Sequence, residues 1–423
     1  MSLHIPADGL LGTHVTWQEV EEQMQKALDT TARFGDDKTV TNISDMKGFM
    51  SRIALVEPHW VGATETEDLP AKFVVKISSQ LPFIEMMTMM EFAEKDYWND
   101  EKTKEMEDIV KMFHNREVAT YKILIRENHP NIPINKIYAM KSFDDENTVK
   151  AYIISEYCPN IQDMGMHECI SVEDLLPVVR AAATLSAIGV KLTEEETKFA
   201  NGMDFVDVVF KQFVDESSVL KSHNIIRQIF PDEYQEKVEQ LLKIYKDYYQ
   251  NQEMLPNFKN TCNFFGYKPV FTHSDLWSAN FLCTKDGDRL ALKAIIDFQT
   301  VSIATPAQDV GRLFVSCLST KDRREKLDFL LEEYYNVFVS ELEGMEIPYT
   351  LQQLKDSYEV FFPLMSTLII PGIALLLKHS AASEESKEAM KAPALDKMVG
   401  LLEDSLSTHE SILQKFPKYF DKI

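Results

Sequence analysis

The residues best suited to chemistry lie between Thr272 and Gln299, where His273-x-Asp275-x4-Asn280 is followed by Asp297. On a loop, Asp275 can accept the proton of an attacking alcohol. Asn280 and Asp297 offer hard oxygen atoms of the kind magnesium takes in small number, completing its shell with phosphate oxygens and water. Metal-assisted phosphoryl transfer is the chemistry these residue types suit. Between them, Lys285-Asp286-Gly287-Asp288 carries Asp-Gly at its centre, a hairpin-turn signal. The flanking runs 281–284 and 290–296 are apolar enough for buried strands. A hairpin turning there returns Asp297 toward the end where Asn280 and the loop lie. The competing reading is a loop with a core histidine and two solvated carboxylates. The turn, the apolar run and Ile295-Ile296-Asp297 in sequence weigh against it, since a motif is judged by its context. His273 is expected to pack beneath the loop while Asp275 carries the proton.

Two further residues explain each other. Lys76 interrupts an apolar strand pattern over residues 72–77, with an edge-strand lysine facing water as the lesser alternative. Met106, Ile109, Val110, Phe113, Tyr121 and Leu124 form an apolar stripe at helical spacing. Glu117 falls on that stripe, four residues from Phe113 and four from Tyr121. A carboxylate there would be buried at high cost without a partner, and Lys76 is the natural counter-ion.

Taken together, His273, Asp275, Trp277, Asn280, Ile296, Asp297, Phe298 and Gln299 resemble the signature of the ecdysteroid-kinase-like branch. That branch belongs to the choline kinase/aminoglycoside phosphotransferase (protein-kinase-like) superfamily. The resemblance runs from about residue 35 to about residue 380 and is dense only in this segment. It implies a bilobal protein-kinase-like α+β fold, with an antiparallel sheet in a small N-terminal lobe (residues 1–157). A larger, mainly helical lobe (158–423) would hold the catalytic loop and the acceptor. It also implies ATP and Mg2+ as cofactors and a small-molecule hydroxyl as acceptor, steroid or xenobiotic-like in preference to an amino alcohol.

Residue by residue, the resemblance makes Lys76 the phosphate-contacting lysine, held by Glu117. Asp275 becomes the catalytic base, and Asn280 and Asp297 the metal ligands. A strand over 151–155 would lead into a hinge at 156–160, giving the Ser155 carbonyl and the Tyr157 amide to adenine. Gly48 and Ser51 sit where the nucleotide-covering loop belongs, and Asp309 where an aspartate anchors the catalytic loop. Trp277 is a platform near the acceptor or, as we favour, a wedge holding the loop. Two departures matter. The covering loop has one glycine instead of G-x-G-x-x-G, so its backbone wraps a phosphate less closely. An inactive nucleotide-binding scaffold is therefore the alternative function. A protein kinase is disfavoured because Phe298-Gln299 replaces Phe-Gly and no Ala-Pro-Glu follows.

The remaining signals bound the setting. With 44 basic and 67 acidic residues the net charge is −23, which argues against nucleic acid and anionic membranes as partners. Five scattered cysteines without a C-x-x-C pair fit a reducing compartment, and residues 1–6 lack a secretory pattern. A cytoplasmic protein with no obligate protein partner is expected. Thr16-x-x-Glu19 and Ser171-Val172-Glu173-Asp174 read as helix starts, the second helix ending near Gly189. Residues 204–250 read as helical with a break at Phe230-Pro231. The uncharged run 360–377 contains Pro363, Pro371 and Gly372, and is expected to form a broken pair of buried helices with no membrane insertion.

Overall fold

In this computed structural model, which describes residues 2–44, 50–89, 100–379 and 384–422, the chain falls into two units. Unit 1 comprises Met1–Asn128, Ile134–Ile161 and Ile296–Gln299; unit 2 comprises His129–Pro133, Gln162–Ile295 and Thr300–Ile423. The expected single cut after residue 157 is thus replaced by an interleaved division. A short piece carrying Asp297 groups with the N-terminal sequence.

Unit 1 is built on a sheet. Its strands are β1 (Arg33–Phe34), β2 (Thr39–Asn42), β3 (Ser51–Glu57), β4 (Trp60–Val61), β5 (Phe73–Ser78), β6 (Ile137–Lys141) and β7 (Tyr152–Glu156). Five of them form one sheet in the order β2-β3-β5-β7-β6, every pair antiparallel. Along β5, Phe73, Val75 and Ile77 are fully buried on one face, as the period of two requires. Each contributes roughly 1.5–3 kcal/mol by leaving water. They pack with Val20 and Met24 of α1 (Trp17–Leu28), which starts at Thr16, whose hydroxyl accepts the Glu19 N–H. Lys76 faces the other way and lies opposite Ile53 and Ile153 at the sheet centre, so the edge-strand alternative is excluded. Helix α2 (Leu81–Met89) follows β5, and α3 (Asp100–Glu127) carries the apolar stripe, with Met106, Val110 and Phe113 buried.

His114 on α3 is buried and uses both ring nitrogens. Nδ1 lies 2.6 Å from the Ser78 hydroxyl and Nε2 lies 2.8 Å from the Lys141 carbonyl, an arrangement that suits the neutral ring. Burial, reinforced by the charge of Lys76, pulls its pKa down to about 4. The unfolded chain takes up this proton near pH 6.5, so the contribution is complete above that pH and is lost as pH falls toward 4. The span corresponds to about 3 kcal/mol. The stability gap between wild type and His114→Gln in urea unfolding is therefore expected to narrow from pH 7.5 to pH 5. A constant gap would show that His114 is not the group titrating.

Unit 2 is mainly helical, so the α+β class expected from sequence is what the chain adopts. Helix α4 (Val172–Lys191) starts where Ser171 Oγ accepts the Asp174 N–H, and runs two residues beyond Gly189. It lies so close to β8 (Val270–Thr272) that a Cβ on Gly189 would come within 2.1 Å of Phe271 Cβ. The expected hairpin is β9 (Phe281–Asp286) and β10 (Arg289–Ile295), with Gly287 supplying the positive φ of its turn. Strand β11 (Ser302–Ala304) pairs antiparallel with β8. Residues 204–250 form several helices broken at Phe230-Pro231, as expected.

The broken helix pair is a correction. Leu351–His379 is one helix despite Pro363 and Pro371, each of which costs about 3 kcal/mol in a helix interior. Packing outweighs this cost, since Phe361, Leu364, Met365, Ile369, Ile370 and Ile373 are all buried. Among the described residues it is the one helix long and apolar enough to cross a membrane, and 72% of its apolar window is buried inside the protein.

Candidate active site

In unit 1 the structure brings Lys76, Glu117 and Asp297 together. Lys76 Nζ donates to Glu117 Oε2 at 2.6 Å and to Asp297 Oδ1 at 2.5 Å. The strand places Lys76 and α3 places Glu117, whose side chain is 1% exposed against 18% for Asp297. Burial pulls the Lys76 ammonium down, but Asp297 and Glu117 together outweigh it and hold the group charged. Burial pushes the Glu117 carboxyl up, opposed by Lys76 and aided by repulsion from Asp297. The cluster therefore keeps a fixed ammonium beside one sequestered and one accessible carboxylate.

Asp297 has φ +65°, uncommon outside glycine and held only where surroundings dictate it. The Tyr121 and Phe298 rings meet edge to face at 5.3 Å. Tyr121 entered the sequence reading only as an apolar stripe residue; its spacing of four from Glu117 was the signal for a second contact.

The other expected residues of unit 1 contribute less. Ser51 is buried at the start of β3, opposite Ser78. Gly48 lies outside the described residues. Ser155 is paired within β7, and Tyr157 is the first residue beyond it, as a strand leading into a linker requires.

In unit 2 the loop after β8 holds Asp275 and Asn280. Asn280 Nδ2 donates to the Asp275 carbonyl at 2.7 Å and to its Oδ2 at 3.2 Å. Arg312 Nε donates to Asp275 Oδ1 at 3.1 Å. The loop backbone is fixed separately. Asp309 accepts the His273 N–H at 2.9 Å and the Ser274 N–H at 2.6 Å, while Thr300 donates to the His273 carbonyl. Asp309 is fully buried, and burial, against these donors, pushes its carboxyl up to about 6. Ser274 takes φ +69°, and its hydroxyl joins those of Thr272 and Ser302. His273 is buried below the loop. Arg312 lies three residues after Asp309, and nothing in the sequence alone assigns its contact with Asp275.

The metal-ligand chemistry fits magnesium. Asp297 offers a partly exposed carboxylate, and the Asn280 amide oxygen is left over once its nitrogen is engaged. Among the described residues no cluster of three or more His, Cys, Asp or Glu is assembled for a metal. Magnesium is the cation that needs only one or two protein oxygens, completing its octahedron with water and phosphate.

A family model described as "Uncharacterized oxidoreductase dhs-27" (DUF1679) matches residues 3–413. Among curated proteins, "Uncharacterized oxidoreductase dhs-27" of Caenorhabditis elegans is 23% identical over 275 residues, 63% of this chain and 32% of that protein. "Uncharacterized kinase-like protein D1044.1" of the same organism is 28% identical over 148 residues, 33% of this chain and 38% of that protein. The chain thus spans about a third of the length of the curated relatives it matches. Among solved structures, choline kinase from Cryptosporidium parvum Iowa II aligns with TM-score 0.43 at 11% identity, covering 89% of this chain and 90% of that one.

Proposed function

The chain belongs to the DUF1679 family, and we propose that it is an ATP- and magnesium-dependent phosphotransferase acting on a hydroxyl group of a small molecule. The observation that carries the proposal is Lys76 bound at once to buried Glu117 and to partly exposed Asp297. An ammonium held this way is charged, aimed and available to phosphate oxygens, the arrangement phosphoryl transfer needs. The acceptor oxygen forms its bond to the γ-phosphorus as the bond to the leaving ADP oxygen breaks, and the hydroxyl proton passes to Asp275. Asp297 and Asn280 would be the protein's magnesium ligands. The bound ion supplies charge neutralisation on the phosphates. Catalysis then rests on positioning and electrostatics, with little covalent work for the protein. The adenine contacts assigned to the Ser155 carbonyl and the Tyr157 amide, and the covering role of Gly48 and Ser51, belong to the same proposal. The motif resemblance supports a steroid or xenobiotic-like acceptor ahead of an amino alcohol, and five free cysteines support a cytoplasmic setting.

The word oxidoreductase attaches to a relative of which the chain covers 32%. In this sequence no glycine is followed two residues later by another, so the G-x-G of a dinucleotide fingerprint is absent. Every strand pair among the described residues is antiparallel, unlike the parallel sheet that binds dinucleotides at its switch point. The kinase-like relative agrees with the site chemistry.

Calorimetric titration tests the cofactor assignment. ATP is expected to bind tightly with magnesium and weakly without it, Asp297→Ala to abolish the difference, and NADPH to give no heat. Tyr121→Ala, which removes the ring packed edge to face against Phe298 beside Asp297, is expected to weaken magnesium–ATP binding about fivefold, roughly 1 kcal/mol. NADPH binding, or ATP binding indifferent to magnesium and to Asp297, would contradict the proposal.

A further inference from the structure

The helix Ala307–Cys317 grips the Asp275 loop at two points three residues apart. Asp309 holds the loop backbone through the His273 and Ser274 N–H groups, and Arg312 holds the Asp275 carboxylate itself. Arg312 is 7% exposed. Its guanidinium carbon lies 5.3 Å from the Trp277 ring and 5.5 Å from the Phe205 ring, so two aromatic faces support the cation. Trp277, read from the sequence as a platform or a wedge, packs its ring against Arg312. Nη1 of Arg312 is buried and makes no hydrogen bond among the described residues. A half-satisfied buried cation is a poor stabiliser, because an apolar side chain of similar volume fills such a slot at lower cost. The arrangement makes better sense as a device for Asp275.

We propose that Arg312 is a positioning residue for phosphoryl transfer. It fixes the rotation of the Asp275 carboxylate by holding Oδ1, leaving Oδ2 as the oxygen that takes the hydroxyl proton. The Oδ2 contact comes from the neutral Asn280 amide and the Oδ1 contact from a cation, so Oδ2 is the oxygen more readily released. The inference rests on the phosphotransferase reading, in which Asp275 receives that proton. It assigns Arg312, Trp277 and Phe205 to one supporting stack, and it separates the two duties of the helix: Asp309 for the backbone, Arg312 for the reacting group.

The test uses the full chain with Arg312→Met, Arg312→Lys, Asp275→Asn and the double variant Arg312→Met/Asp275→Asn. Arg312→Met is expected to unfold in urea at a midpoint equal to or above that of wild type. Its kcat should fall roughly 30-fold or more while KM for magnesium–ATP stays within about twofold, since misplacing a reacting group by an ångström costs rates of this order. Arg312→Lys should recover part of kcat, keeping the charge without the planar fork. The double variant should be no slower than Asp275→Asn. Wild-type kcat in Arg312→Met overturns the inference, as does a loss of kcat that tracks lost folding and is not relieved by lysine. If wild type transfers phosphate to no acceptor, the phosphotransferase reading fails, and the unfolding cycle still decides the contact. Non-additive effects of the Arg312 and Asp275 substitutions on stability uphold the coupling, and additive effects overturn it.

Discussion

Asp275→Asn is expected to lower turnover by at least about a hundredfold while magnesium–ATP affinity stays within about twofold of wild type, the signature of losing a general base. The side chain keeps its shape, and its amide oxygen can still accept from Arg312 Nε. The loop also keeps its place, because Asp309, Thr300 and the Thr272–Ser274–Ser302 hydroxyls hold its backbone without Asp275. What the variant lacks is an oxygen basic enough to take the hydroxyl proton. Single-turnover kinetics with saturating nucleotide isolates this step from binding and product release. Full activity would remove Asp275 from the mechanism, and a parallel loss of nucleotide affinity would make its role one of binding.

Lys76→Met is expected to destabilise the folded chain by roughly 3–5 kcal/mol and to abolish detectable transfer. The reason lies in the asymmetry of its two partners. Asp297 is partly exposed and can be solvated when the ammonium is removed, whereas Glu117 is 1% exposed and would face burial with no counter-charge. Glu117 escapes by binding a proton, the direction in which burial already pushes it. A carboxyl whose folded pKa is raised loses stability as pH rises, so the defect should be larger at pH 8 than at pH 6. Adding Glu117→Gln removes the orphaned charge and should restore most of the stability at pH 8 but none of the turnover. Urea unfolding and activity measured on the same preparations check both halves. A Lys76→Met protein as stable as wild type at pH 8 would mean that Glu117 does not depend on Lys76. Recovered turnover in the double variant would mean that Lys76 is only structural.

How much of this was legible beforehand varies with the kind of evidence each residue leaves. Lys76 and Glu117 were readable because each violates a strong pattern, a charge in an apolar strand and a charge on an apolar helix stripe; two violations that cancel imply contact. The β9–β10 hairpin was readable from Asp286-Gly287, since only a residue tolerant of positive φ fits that turn. Tyr121 and Arg312 were not. A tyrosine on an apolar stripe is ordinary core until the chain around Asp297 is seen against it. An arginine one turn from Asp309 is ordinary surface until Phe205, far away in sequence, closes over it. The two prolines of Leu351–His379 misled for the opposite reason. Local propensity argued for a break, and long-range packing of Phe361, Ile369 and Ile373 overrode it. The grouping of Ile296–Gln299 with the N-terminal sequence is likewise a matter of tertiary contact, with no signature in composition.

The central claim, transfer of phosphate to a small-molecule hydroxyl, is tested most directly by mass spectrometry. Purified protein with ATP and magnesium would be incubated with a mixed panel of steroids, amino alcohols, glucosides and peptides, with Asp275→Asn as control. The account predicts one phosphate mass gained by a single acceptor class in the wild-type reaction and absent from the variant. Magnesium–ATP binding with no phosphorylated product across the panel would contradict it and favour a nucleotide-binding scaffold without catalysis.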